Sequence, residues 1–253
     1  MSKTEYEHLI SNLEYLKLKE MPVHLSDTID FVTNNGLSFV QGLIKLTDYE
    51  VTFKEANMVK AMVRVAGFPH FRELKDFDFS FQENINKEQI MEFTSHRFIH
   101  ENQNIVFMGS SGVGKTHLAT SIGISAAKKS ISTYFIKCND LISQLKKAKL
   151  ENRLDARIKH FTKYKCLIID ELGYLPIEPE DSKLFFQLID KRYEKRSTII
   201  TTNINFSSWD KVFRDPTIAN AILDRILHHS HVVNITGKSY RLKNYYEDTG
   251  GAE

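Results

Sequence analysis

The residues with the clearest chemical meaning form one glycine-rich loop, Gly109-Ser110-Ser111-Gly112-Val113-Gly114-Lys115-Thr116. The loop fits the pattern G-x-x-x-x-G-K-[ST] at every fixed position. Its glycines let the backbone approach phosphate oxygens, and the N–H groups that open the following helix attract an anion. Lys115 is expected to reach the β- and γ-phosphates, and the Thr116 hydroxyl to ligate Mg²⁺. Together with the adjacent His117, the loop predicts a site for a nucleoside triphosphate.

A second set of residues, Cys166-Leu167-Ile168-Ile169-Asp170-Glu171, joins four apolar side chains to two carboxylates. This pattern predicts a buried parallel strand with acids at its carboxyl end, where ligands of open α/β sheets bind. Asp170 is expected to hold the Mg²⁺ shell, and Glu171 to orient and deprotonate the attacking water. Taken alone, the same residues also fit a strand that ends in a solvated acidic turn. Beside a phosphate-binding loop, they indicate hydrolysis.

A third candidate strand, Ser197–Asn203, is apolar in its middle and ends at Asn203. The Asn203 amide would lie near the γ-phosphate and the water if this strand joins the same sheet. A strand that closes in an asparagine turn explains the residues equally well. Both interpretations stay open on the sequence alone.

Alternating apolar strands and helices are expected to place these residues at one edge of a parallel sheet. Strands are predicted at 104–108, 133–137, 166–169, 197–203 and 231–235. Helices are predicted near 87–99, 117–129, 181–195 and 217–229, with a basic helical stretch after the second strand. The sequence therefore predicts an α/β nucleotide-binding domain with helices on both faces.

The residues before this domain suggest a small helical domain. A first helix is expected to end at Pro22, and further helices are expected at 26–34, 37–46 and 54–65. Gly67-Phe68-Pro69 is a break, and the alternating residues 76–81 would lead into the nucleotide domain. We therefore expect a helical domain over residues 1–75 and a nucleotide-binding domain over residues 76–253.

Composition excludes several classes of protein. The 253 residues carry a formal net charge of +2 and contain 42% hydrophobic residues, as expected for a globular chain. No apolar run reaches membrane-spanning length, and the amino terminus does not resemble a secretion signal. Cys138 and Cys166 both fall in predicted strands, where they suit a reducing, cytoplasmic compartment. His228, His229 and His231 lack zinc-site spacing, so helix-end packing and capping explain them better.

The near-neutral total hides a basic segment between the second and third strands. Residues 128–165 contain 11 basic and 3 acidic side chains, a net charge of +8. Such a segment favours a polyanionic partner, although a solvated helix face fits the residues as well. The basic residues that would contact such a partner, and that become the candidate DNA contacts under the family resemblance given next, are Lys146, Lys147, Lys149, Arg153, Arg157, Lys159 and Lys163.

With these motifs in place, the chain resembles the IstB-type transposition helper ATPases, relatives of the DnaC helicase loaders in the AAA+ class. The resemblance is carried by the phosphate loop and by residues 16–21, 76–79, 168–174, 221–229 and 239–243. It implies a P-loop fold with a RecA-like sheet behind a small all-α domain. Only about 18 residues follow Ile235, so no full carboxyl-terminal lid is expected.

The resemblance also implies function. It implies a Mg²⁺-dependent ATPase that assembles with itself on duplex DNA, remodels the target and stimulates a partner transposase. Arg225 would act in trans on the γ-phosphate of a neighbouring subunit, a role that rests on the resemblance alone. Arg241 is the candidate for a second nucleotide-sensing arginine.

Three other functions remain possible on the sequence. A helicase loader would share the nucleotide domain but use its helical domain to grip a replicative helicase. A nucleotide-switched scaffold would need ATP binding without hydrolysis. A metabolite kinase is disfavoured by the Asp170–Glu171 pair and by the basic segment.

Overall fold

The computed structural model describes residues 3–82 and 84–242. By their contacts the residues divide into two compact units, Met1–Ala61 and Met62–Glu253. The division falls inside a helix, and the backbone N–H of Phe135 donates to the carbonyl of Ala66 within the larger unit, at 2.7 Å. The expected start of the nucleotide domain at residue 76 stays a prediction.

The smaller unit is helical, as predicted, but its helices have different limits. They are α1 (Lys3–Tyr15), α2 (Glu20–Asn34) and α3 (Phe39–Val65), the last of which continues into the larger unit. The four buried side chains of its core are Leu13, Met21, Leu25 and Leu46.

Two expectations for these helices were wrong. Pro22 does not end a helix but lies in the first turn of α2, where its missing N–H group is not needed. The expected break between residues 46 and 54 is absent, and α3 runs straight through it. The hydroxyls of Thr47 and Thr52 donate to the carbonyls of Leu43 and Asp48 within this stretch, each at 2.8 Å, so the threonines are accommodated in the helix.

The larger unit contains five parallel strands in the order β2-β3-β4-β1-β5. The strands are β1 (Asn104–Gly109), β2 (Thr133–Lys137), β3 (Cys166–Leu172), β4 (Ser197–Thr202) and β5 (Ser230–Ile235). Its helices are α4 (Lys87–Phe93), α5 (Arg97–His100), α6 (Lys115–Lys128), α7 (Cys138–Leu150), α8 (Leu154–Thr162), α9 (Pro179–Arg192), α10 (Trp209–Phe213) and α11 (Pro216–Leu227). The predicted fold class is therefore confirmed.

Side chains alternate between the two faces of this sheet. Ile105 and Phe107 of β1 pack with α6, whereas Val106 packs in the other core layer with α7, α9 and α11. Because both faces of the sheet are covered there, the central strands β1, β3 and β4 are apolar on both sides. Their carboxyl ends consequently form one edge that carries the polar residues.

Smaller differences from the predicted elements have local causes. The helix expected over 87–99 is interrupted because His96 adopts a left-handed conformation, with φ 63°. Cys138 begins α7 instead of lying in a strand, while Cys166 begins β3 as expected. Both thiols are buried, and burial raises the pKa of each to about 12. Among the described residues, no helix combines the length and apolar character required to span a bilayer.

Candidate nucleotide-binding site

The phosphate loop connects the end of β1 to the start of α6. Gly112 and Gly114 are both left-handed, with φ of 83° and 99°. A Cβ on Gly112 would lie 2.0 Å from the Ser239 Oγ, and one on Gly114 would lie 2.5 Å from the Phe77 ring. The loop therefore needs glycine at both positions, for backbone conformation and for space.

Lys115 folds back over the loop from the first turn of α6. Its Nζ donates to the carbonyl oxygens of Gly109 and Ser110, at 2.8 and 2.7 Å. Burial lowers the pKa of the Lys115 ammonium, and the nearby Asp170 carboxylate opposes that effect. The ammonium is thus held at the loop by neutral carbonyls, which a phosphate oxygen can replace with a stronger, charged partner.

Asp170 lies at the buried carboxyl end of β3. Its Oδ1 accepts hydrogen bonds from the hydroxyls of Thr116, at 2.9 Å, and Thr201, at 2.6 Å. Burial raises the pKa of Asp170, while the two hydroxyl donors lower it. The structure thereby brings together the two residues predicted to share Mg²⁺, Thr116 and Asp170.

Glu171 follows Asp170 where β3 becomes irregular. The register of β3 against β4 shifts between Ile169 and Leu172, and Glu171 itself is left-handed, with φ 60°. This bulge turns the Glu171 side chain away from a regular strand position. The Glu171 Oε2 lies 3.0 Å from the Nζ of Lys137, the last residue of β2.

A single cavity of about 780 Å³ joins these groups. Residues 111–117 line it together with Asp170 and Glu171, and both Asn203 and Arg241 reach it as well. The residues predicted from four separate stretches of the sequence therefore line the same cavity. Sites for small molecules and cofactors commonly range from about 300 to 1,000 Å³.

The segment after β5 packs over the phosphate loop. The N–H of Tyr240 donates to the carbonyl of Gly112, at 3.0 Å, and the Gln82 amide donates to the carbonyl of Lys238, at 2.9 Å. Tyr240 also meets the ring of Phe81 edge-on. These contacts place the segment so that Arg241 lines the cavity, where its charge contributes to lowering the pKa of Lys115.

Several cavity residues were not identified from the sequence. The Thr201 hydroxyl both donates to Asp170 and accepts from the N–H of Glu171, at 2.9 Å. Lys137 is the last residue of β2 and Thr201 the last but one of β4, both next to β3, so the rule that ligands bind at carboxyl strand ends could have found them. The cavity is also lined by residues that precede β1 and that no strand-end rule would indicate. They are Pro69, His70, Arg72, Asp76, Phe77, Asp78 and Gln82.

Arg225 lies on α11 and does not line this cavity. Its guanidinium forms ion pairs with Asp190, at 3.3 Å, and Asp224, at 2.6 Å, and lies 4.9 Å from the centre of the Tyr193 ring. Within one chain, therefore, Arg225 is not brought together with the other predicted catalytic residues.

The candidate DNA contacts lie on and beside α7 and α8, and some of them form ion pairs. Lys146 pairs with Asp181, at 3.2 Å, and Arg153 pairs with Glu151. Arg157 lies 5.8 Å from the centre of the Phe161 ring. The remaining predicted contacts are exposed lysines, Lys147, Lys149, Lys159 and Lys163.

The donor set in the cavity fits Mg²⁺ and a triphosphate. Hard cations such as Mg²⁺ prefer oxygen, and Asp170 and Thr116 offer a carboxylate and a hydroxyl within hydrogen-bonding distance of each other. The glycine loop, the Lys115 ammonium and the start of α6 supply the positive side that phosphate groups require.

Comparisons with known proteins give the family of the chain. The family model for IstB-like ATP binding proteins matches residues 11–248. The ATP-binding protein of insertion sequence IS232 from Bacillus thuringiensis subsp. berliner is 65% identical, over 96% of this chain and 98% of its own length. That of IS21 from Pseudomonas aeruginosa is 36% identical, over 94% of this chain and 89% of its own.

Solved structures support the fold. The crystal structure of the DnaC helicase loader matches with a TM-score of 0.51 and 25% identity, over 67% of this chain and 96% of that chain. AMPPCP-bound DnaA from Aquifex aeolicus matches with a TM-score of 0.56 and 16% identity, over 74% and 57% of the two chains. The larger unit thus has the AAA+ fold of these neighbours. Together with the family match, this shows that the chain belongs to the IstB-like ATP-binding protein family of insertion sequences.

Proposed function

We propose that this protein is a Mg²⁺-dependent ATP hydrolase that assembles on duplex DNA and assists a transposase. The observation that carries the proposal is the joint placement of Thr116, Asp170 and Glu171 at the rim of one glycine-lined cavity. A hydroxyl and a buried carboxylate suit the metal, and the adjacent second carboxylate suits a water. A site that only binds nucleotide needs no such second acid.

Each residue has a distinct part in this proposal. Lys115 and the loop amides hold the phosphate tail, while Thr116 and Asp170 hold Mg²⁺, which would neutralise charge on the phosphates. Glu171 accepts a proton from the attacking water, and Asn203 positions that water. Arg241 senses the phosphates from the segment that packs on the loop.

Duplex DNA is the partner proposed for α7 and α8. Exposed lysines on both helices would contact phosphates, so binding would be salt-dependent and nearly independent of sequence. That property suits a helper that must accept many targets. The names of the relatives place them in insertion sequences, which supports a transposase as the protein partner.

Self-assembly is proposed from the position of Arg225. Its guanidinium is on the surface of α11 and outside its own cavity. An arginine finger adds positive charge as the transition state develops, and here it would come from the neighbouring subunit. Hydrolysis would then depend on assembly.

One experiment tests these parts together. ATP turnover is measured with no DNA, with duplex and with single strands, alongside particle size. We expect duplex to raise both turnover and size. Absence of Mg²⁺-dependent turnover under all three conditions would remove the enzymatic proposal.

The same experiment distinguishes the proposed transposition helper from a helicase loader. DnaC is a neighbour in fold, and it is named as a helicase loader. Stimulation by single strands over duplex, with binding to a replicative helicase, would favour that function.

A further inference from the structure

We propose that Glu194, His228 and His229 form a binding site for a transition-metal ion such as Zn²⁺, separate from the nucleotide cavity. Glu194 lies just after α9, and the two histidines directly follow α11. The sequence suggested only a histidine cluster with His231. The fold removes His231 from that cluster, because its Nε2 lies 2.7 Å from the Gln103 Oε1. It adds Glu194, a carboxylate more than thirty positions earlier in the chain.

The distances between the ligand atoms carry the proposal. One atom from each of the three residues can be chosen so that all lie within 4.8 Å of one another. The Glu194 Oε1 is 3.5 Å from the His229 Nε2 and 3.9 Å from the His228 Nδ1. Tetrahedral ligands at ordinary Zn–N and Zn–O lengths stand about 3.3 Å apart. The two distances to the Glu194 oxygen each differ from that spacing by less than about one ångström, and rotation of these exposed side chains can close the difference.

The donor atoms of the cluster favour a transition-metal ion. The His228 and His229 rings are in contact, with centroids 3.9 Å apart, so a single ion can reach a nitrogen of each ring. A metal ion binds both rings in their neutral form and places one cation beside the Glu194 carboxylate. Two nitrogens and one oxygen suit Zn²⁺ and disfavour Mg²⁺, which prefers oxygen ligands.

The surroundings supply a further polar group. The Tyr193 hydroxyl lies 2.5 Å from the His228 Nδ1. When the Tyr193 hydroxyl donates to the His228 Nδ1, this nitrogen carries a lone pair. A metal ion could bind the same lone pair after displacing the hydroxyl. The fourth position is then open to water or to a group from another molecule, as in three-ligand zinc sites. The site lies outside the nucleotide cavity, so a metal there is distinct from the nucleotide's magnesium.

The test titrates full-length, tag-free, metal-free protein with Co²⁺ and Zn²⁺ in the absence of nucleotide. The visible absorption of bound Co²⁺ reports its coordination geometry, and calorimetry gives the affinity and stoichiometry of Zn²⁺ binding. We expect one equivalent to bind with the absorption of a four-coordinate nitrogen and oxygen site. His229→Ala and Glu194→Gln should each weaken binding at least about tenfold.

A matched control is the neighbouring histidine outside the cluster. His231→Gln should bind the metal like the parent, and circular dichroism should show that all variants are folded. The proposal is overturned if no stoichiometric binding occurs, or if His229→Ala and Glu194→Gln bind like the parent. Because no nucleotide is present, a negative result here leaves the proposed ATPase untouched, and an inactive ATPase leaves this site testable.

Discussion

The Nζ of Lys137 and the Oε2 of Glu171 form an ion pair at 3.0 Å across neighbouring strands of the sheet. Their strands pair in register just before this point, with Lys137 opposite Asp170. Lys137 is also the residue from which α7 starts, and α7 carries part of the proposed DNA surface. The candidate catalytic base is therefore directly linked to the helix proposed to contact DNA.

This ion pair predicts the behaviour of Lys137→Met. The ammonium occupies a Glu171 carboxylate oxygen that would otherwise be available to orient the attacking water. Removing the ammonium should raise ATP turnover measured without DNA and reduce the further stimulation by duplex. The control is Lys183→Met, which removes an exposed lysine paired with Glu180 elsewhere on the surface. A loss of turnover in Lys137→Met would instead assign the lysine a supporting part in hydrolysis.

Glu171→Gln tests the base itself. The amide keeps the shape of the side chain but cannot accept the proton, and loss of a general base typically costs about 10²- to 10⁴-fold in rate. We expect turnover to fall within that range while ATP binding, measured by calorimetry, is retained. Glu178→Gln changes an exposed glutamate that pairs with Arg214, and it should hydrolyse ATP like the parent. Parental turnover in Glu171→Gln would contradict the assignment.

Asp170→Asn should separate stability from catalysis. Burial raises the pKa of Asp170 above its ordinary value of 3.8, so the folded chain binds this proton more tightly than the unfolded chain. Stability contributed by this group therefore decreases as pH rises from that ordinary value through the raised value. Asparagine removes the buried charge and can still accept from Thr116 and Thr201.

The expected result is a higher melting temperature for Asp170→Asn than for the parent at pH 7, measured without nucleotide or Mg²⁺. The difference should shrink toward pH 4, where the parent carboxyl becomes protonated. Mg²⁺-dependent turnover should be lost in the same variant. Asp155→Asn, at an exposed position in α8, should change neither property. A parent more stable than the variant at pH 7 would show that the carboxylate is stabilised in the fold.

Residues of the site that are defined by their neighbours in the chain could be predicted from the sequence, whereas contacts between distant segments could not. The phosphate loop, Asp170 and Glu171 are defined by neighbours in the chain, so pattern alone located them. The contacts of Thr201 and Lys137 join different strands, and they depend on the strand order and on the register shift at Glu171. The packing of Tyr240 on the loop joins residues more than a hundred positions apart, which no local pattern specifies.

The elements of the fold also differ in whether the local sequence predicts them. The central strands β1, β3 and β4 were predictable because their apolar residues are buried on both faces. The continuity of α3 was not, since threonines usually weaken a helix and here donate to its carbonyls. The break at His96 depends on a left-handed residue that is not glycine, which sequence propensity does not indicate.

The DNA surface is tested by Lys147→Ala combined with Lys159→Ala. These two exposed lysines lie on α7 and α8. If each contacts one phosphate, the slope of log affinity against log salt should become shallower by about 2. Binding to duplexes of different sequence should weaken equally. The control is Lys183→Ala with Lys191→Ala, which removes the same charge from α9. An unchanged salt slope in the α7–α8 variant would place the DNA surface elsewhere.

Arg225→Ala tests whether hydrolysis needs a neighbouring subunit. Arg225 is outside its own cavity, so the variant should bind ATP normally and yet lose DNA-stimulated turnover. Lys115→Ala should be inactive for the opposite reason, because its own cavity cannot hold the phosphates. Mixing the two variants creates interfaces that combine an intact cavity with an intact arginine, so part of the parental turnover should return. Arg214→Ala, which removes an exposed arginine paired with Glu178, should be active alone. If the mixture stays inactive although particle sizing shows joint assembly, Arg225 does not act across subunits.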